Sequence, residues 1–95
     1  NIGKRLVAEG IAEYFDRTIN GGENEFNDSQ WPKLLENFGD KEIYEGGYHL
    51  VKPIIDSFGK EGIEYIMTNP PTDNQLLNLP LYQKRIIQDL FIEQP

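Results

Sequence analysis

The chain has 95 residues, enough for one domain around one hydrophobic core and too few for two. Sixteen acidic residues against nine scattered basic ones give a net charge of −7, a surface that repels phosphate backbones and argues against nucleic-acid binding. There is no cysteine, which excludes disulfides, thiolate zinc sites and thiol nucleophiles and leaves carboxylates and the single histidine, His49, as metal-binding groups; the apolar runs are too short for a membrane span.

Helical periodicity dominates and strand-like alternation is absent, so the expected fold is all-α: one domain over 1–95, a compact bundle of about five or six helices. The first helix is expected from Lys4 to Thr18, with Leu6, Val7, Ile11, Tyr14 and Phe15 as its apolar stripe, ending at Asn20-Gly21-Gly22. Residues 20–30 read as a polar, glycine-bearing loop. A second helix follows, with Asp28 or Ser29 as N-cap, Pro32 in its first turn and Trp31, Leu34, Leu35 and Phe38 at i, i+3, i+4 and i+7; Gly39 stops it.

The third helix is expected to start after Asp40 and to reach Phe58, with Ile43, Tyr44, Gly47, Leu50, Val51, Ile54, Ile55 and Phe58 on one wide face and Gly59 as its stop. Pro53 in its interior deprives the His49 carbonyl of its i+4 donor, so a kink is expected near residues 49–53. A short fourth helix covers Lys60 to Met67. Thr72 and Gln75 have the spacing of a capping box for a fifth, through Leu77. Pro80 opens a terminal helix with Leu79, Ile86, Ile87, Leu90 and Phe91 facing inward. No charged segment followed by an apolar stretch opens the chain, so no signal peptide is read, and a first residue of Asn1 rather than Met suggests a processed product, an excised domain or a fragment.

The stretch Val7-Ala-Glu-Gly-Ile-Ala-Glu-Tyr-Phe15 raises the functional question, because it places Glu9 and Glu13 one helical turn apart inside an apolar segment. Like charges at i and i+4 oppose helix formation by roughly 0.2–0.5 kcal/mol, and burial enlarges that penalty unless each carboxylate finds a cation, a metal or a proton. One solution is local: Arg5 pairs with Glu9 and Arg17 with Glu13, forming a solvated stripe. The other is a ligand role, with Glu9 on a metal and Glu13 orienting an imidazole beside it. Gly10 bears on the choice, since a glycine inside a helix costs roughly 1 kcal/mol and fits close approach of another element.

Residues 8–15, Ala-Glu-Gly-Ile-Ala-Glu-Tyr-Phe, resemble the third-ligand helix of the gluzincin zinc metallopeptidases, the class that includes thermolysin and the zinc aminopeptidases. By that resemblance Glu9 is the zinc ligand and Glu13 accepts a hydrogen bond from a zinc-binding histidine. The segment Ile43-Tyr-Glu-Gly-Gly-Tyr-His-Leu-Val51 is similar to the Tyr-x-x-Gly segment of the aminopeptidases, which implies that the Tyr44 hydroxyl donates to the tetrahedral oxyanion, with Gly47 at the glycine position. Tyr48 and His49 are weaker candidates for the same task; the plain alternative has the two tyrosines at the core edge and His49 solvated beside Glu45 and Lys52.

In the class, zinc is held by two histidines of an H-E-x-x-H helix that this chain lacks, so the resemblance covers 4–17 and 43–58. It implies a C-terminal helical lobe, inert alone, whose partners are an upstream lobe of the same polypeptide and a peptide substrate. Zinc belongs to the intact protein and none is expected on this chain alone. In the intact protein a zinc-activated water would hydrolyse the peptide bond. The competing expectation is a non-catalytic, acidic helical interaction domain.

Overall fold

A computed structural model describes residues 2–93 and contains six α-helices and one 3-10 turn, with no strand among the described residues. Helix α1 (Ile2–Asn20) extends two residues beyond expectation at each end. It stops where Gly21 takes φ +79°, a conformation that glycine adopts without a Cβ penalty, and the Gly21 N–H closes the last turn on the Arg17 carbonyl at 2.9 Å. After the loop 21–27 comes the 3-10 turn Asp28–Gln30, whose cap is Asn27 rather than Asp28 or Ser29. The Asn27 side chain accepts from the Ser29 amide, and the Gln30 side chain accepts in return from the Asn27 amide. Asp28 is taken up elsewhere: its Oδ1 accepts from Trp31 Nε1 at 3.1 Å and meets His49.

Helix α2 (Trp31–Glu36) follows directly and places Pro32 in its first turn, where a missing N–H costs nothing. Helix α3 (Asp40–Phe58) has the expected bounds and contains Pro53 without interruption. The Gln83 side-chain amide, from α6 (Leu79–Glu93), donates to the carbonyls of His49 and Leu50 at 3.2 and 3.0 Å. A residue 34 positions away thus supplies the donor that the proline removes. Gly59, at φ +56°, joins α3 to α4 (Lys60–Thr68), and Thr72 and Gln75 form the expected capping box on α5 (Asp73–Leu77).

One continuous core runs through the molecule, built from Leu6 and Val7 of α1, Trp31 and Leu34 of α2, Ile43, Leu50, Val51, Ile54 and Ile55 of α3, and Ile66, Leu76, Leu79, Ile86 and Leu90 of the later helices. The dominant packing is α1 against α3, and α2 touches α5 as well as α3. Four aromatics expected on apolar faces are exposed: Phe15 by 49%, Phe38 by 45%, Tyr44 by 37% and Phe91 by 75%. Tyr82 is buried instead, its hydroxyl donating to the Asn69 carbonyl at 2.6 Å. Periodicity gives the direction of each apolar stripe, but how far along a helix that stripe is covered depends on where the neighbouring helices end. No helix among the described residues is long and apolar enough to cross a membrane.

Candidate functional site at the α1–α3 seam

Two glycines set how closely α1 and α3 approach. A methyl carbon on Gly10 would lie 2.2 Å from the Gly47 carbonyl oxygen, and one on Gly47 would lie 2.5 Å from the Leu6 carbonyl oxygen, so the backbones touch where they cross. Gly46 turns to a different neighbour, the side chains of Leu34 and Trp31. Arg5 pairs with Asp40 at 2.9 Å near the start of both helices, and the Tyr14 hydroxyl donates to Asp56 at 2.6 Å.

Along one flank of this crossing lie Glu9, Glu13 and Arg17, at i, i+4 and i+8. The Arg17 guanidinium gathers four groups. Nε donates to Glu13 Oε2 at 3.0 Å, Nη2 to Glu45 of α3, and Nη1 to the Glu23 carbonyl at 2.8 Å, while the guanidinium carbon lies 4.3 Å from the centre of the Tyr48 ring. Burial pulls the Arg17 pKa down, but the bonds to Glu45 and Glu13 outweigh it and hold the guanidinium above its ordinary value. Of the two local pairs considered, Arg17–Glu13 forms. Arg5–Glu9 does not, because Arg5 is bound to Asp40.

Glu9 is half-buried and makes no ion pair or side-chain hydrogen bond among the described residues. Glu9 and Glu13 are one turn apart on α1, as Tyr44 and Tyr48 are on α3. Arg17 links Glu13 to Tyr48 across the seam. The Tyr44 ring is 37% exposed.

His49 sits elsewhere. Its Nε2 lies 2.9 Å from Asp28 Oδ1 and its Nδ1 2.7 Å from Asn24 Nδ2, with the Phe26 and Trp31 rings 5.5 and 6.5 Å away. It is half-buried in this aromatic and polar setting, rather than solvated beside Lys52, and Lys52 itself binds Asp56. Among the described residues no three His, Asp or Glu side chains come together closely enough to hold a metal ion.

The sequence reading missed the way Glu45 joins Arg17, and the strapping of residues 23–26 onto α3. The i+4 spacing signalled Glu13–Arg17, whereas Glu45, 28 positions from Arg17, carried no local signal. No protein-family profile matches the chain, and comparison with curated proteins and with solved structures finds no match.

Proposed function

We propose that this chain is the helical C-terminal lobe of a gluzincin-like zinc metallopeptidase, in which Glu9 is the third ligand to a zinc held by two histidines on an H-E-x-x-H helix elsewhere in the same polypeptide. The observation that carries this reading is the state of Glu9: a half-buried carboxylate without a cation, while Glu13, one turn on, shares Arg17 with Glu45 of α3. A carboxylate that is only partly hydrated and has no cation beside it is suited to a ligand role, and a dication supplied by another lobe would pair it. Tyr44 of α3, partly exposed, would supply a neutral phenol of the kind that stabilises an oxyanion. Glu13 keeps one carboxylate oxygen outside the bond to Arg17, open to an imidazole N–H.

The test is Glu9→Gln in the polypeptide that carries both this segment and an H-E-x-x-H helix. Bound zinc should be lost with an unchanged circular dichroism spectrum, and Glu13→Gln should weaken zinc affinity by about 10–100-fold, the usual effect of removing an outer partner. Zinc content unchanged by Glu9→Gln refutes the reading. The second reading, an acidic helical interaction domain, is favoured by Arg17, which neutralises Glu13 and Glu45 within the chain itself. A reading frame without any H-E-x-x-H helix leaves only that account.

A further inference from the structure

Segment 21–27 is strapped over the α1–α3 seam by three polar bonds, one from α1 and two to the first half of α3. Arg17 Nη1 donates to the Glu23 carbonyl, the Glu25 amide donates to Glu45 at 3.3 Å, and Asn24 Nδ2 meets His49 Nδ1 at 2.7 Å. Phe26 is buried beneath the strap, 4.6 Å from the Trp31 ring. The third bond fixes the protonation state of His49 by elimination. Asn24 Oδ1 accepts from the Phe26 amide at 3.0 Å, so the Asn24 amide cannot turn over without setting its NH2 against that N–H. Its NH2 therefore faces His49, and Nδ1 must present a lone pair. The ring proton is then on Nε2, which donates to Asp28 Oδ1.

We propose that His49 is a protonation-gated latch: neutral, with its proton on Nε2, it holds segment 21–27 on α3 through Asn24, and on taking a second proton at Nδ1 it releases that segment. The imidazolium has an N–H at both nitrogens, so Nδ1–H would oppose the Asn24 NH2, while the Asp28 contact becomes a charged pair. The ring would stay on the 3-10 turn and the strap would lose its Asn24 attachment, held then only by its bonds to Arg17 and Glu45 and by Phe26. The charged groups around the ring are Asp28 on that turn, Glu23 and Glu25 on either side of Asn24 in the strap, Glu45 one turn earlier on α3, where it is bound to Arg17, and Lys52 three residues later, where it is bound to Asp56. From α6 the nearest group is the neutral Gln83 amide, on the His49 carbonyl. The latch stands on these contacts whether or not Glu9 ever binds zinc.

Nitrogen-15 spectra of the imidazole in the whole chain, followed through a pH titration, test the latch. At high pH the ring should be the Nε2–H tautomer. On acidification the Asn24 side-chain NH2 and the amides of residues 23–26 should shift with the same midpoint as His49, and hydrogen-exchange protection of the Phe26 amide should fall by about fivefold, the weight of one ordinary hydrogen bond. In Asn24→Asp a carboxylate faces Nδ1 and accepts from the imidazolium, so the response should invert, with the strap held more tightly in acid. An Nδ1–H tautomer, loop amides that ignore the His49 titration, or an Asn24→Asp response of unchanged sign would each overturn the proposal.

Discussion

Gly10→Ala separates the isolated helix from the packed one because the two give opposite signs. In an isolated helix, alanine for glycine is stabilising by about 1 kcal/mol. At the α1–α3 crossing the new methyl would lie 2.2 Å from the Gly47 carbonyl oxygen, 2.5 Å from its carbon and 3.0 Å from its Cα, all backbone atoms that cannot rotate away. Restoring ordinary contact requires the helices to part by about 1 Å, which loosens van der Waals contact along both. Overpacking costs typically about 1–3 kcal/mol, and a clash with rigid backbone belongs at or above the top of that range. After subtracting the propensity gain, the net loss should be about 2 kcal/mol or more, or roughly 8–16 °C in Tm for a domain of this size. Thermal and urea unfolding followed by circular dichroism measure it, with Gly46→Ala as the milder comparison, since its new methyl would meet movable Leu34 and Trp31 side chains. A Tm for Gly10→Ala equal to or above that of the parent would refute the close crossing.

Leu34→Ala, at a fully buried site, should cost about 2–5 kcal/mol in denaturant unfolding, whereas Leu35→Ala, at a half-buried one, should cost clearly less; equal losses would mean that α2 is rotated from the orientation described. Gln83→Ala should cost about 1–3 kcal/mol by leaving the His49 and Leu50 carbonyls without their added donor, and Pro53→Ala in the same chain should recover part of it by restoring a helical N–H; strictly additive effects would contradict the link. For the Tyr14–Asp56–Lys52 cluster, Asp56 is held below its usual range by its bonds to Lys52 and Tyr14, so its contribution to stability is present above about pH 4 and fades as pH falls through the lowered native value. Tyr14 is pushed up to about 12 by its bond to Asp56, with burial adding to it, so its contribution holds below about pH 10 and is lost between there and 12. Unfolding midpoints of Tyr14→Phe and the parent should therefore converge at both extremes, and a constant gap across pH would contradict the assignment. Calorimetric titration of the isolated chain with zinc should show no tight site, and submicromolar affinity would mean that a donor set has been overlooked.

Much of the local structure is written in the order of the residues. Helix α3 has its expected bounds because Gly39 and Gly59 stand at its two ends, and the Thr72–Gln75 box caps α5 because both partners lie within one turn. The Glu9–Glu13 pair, Gly10 between them and the Glu13–Arg17 contact were legible for the same reason. What the sequence left open is every choice that depends on a distant partner. Arg5 could reach Glu9 by helical spacing, yet binds Asp40, because α3 begins beside it. Asp28 gave up the capping role to Asn27 once Trp31 and His49 claimed its carboxylate. Pro53 announced a missing donor but not that Gln83, from the last helix, would replace it. Helical periodicity acts over three or four residues and fixes local form. Which charges share Arg17, which aromatics stay uncovered and where His49 finds its partners were decided by the close crossing of α1 and α3 at two glycines and by the return of α6 onto α3.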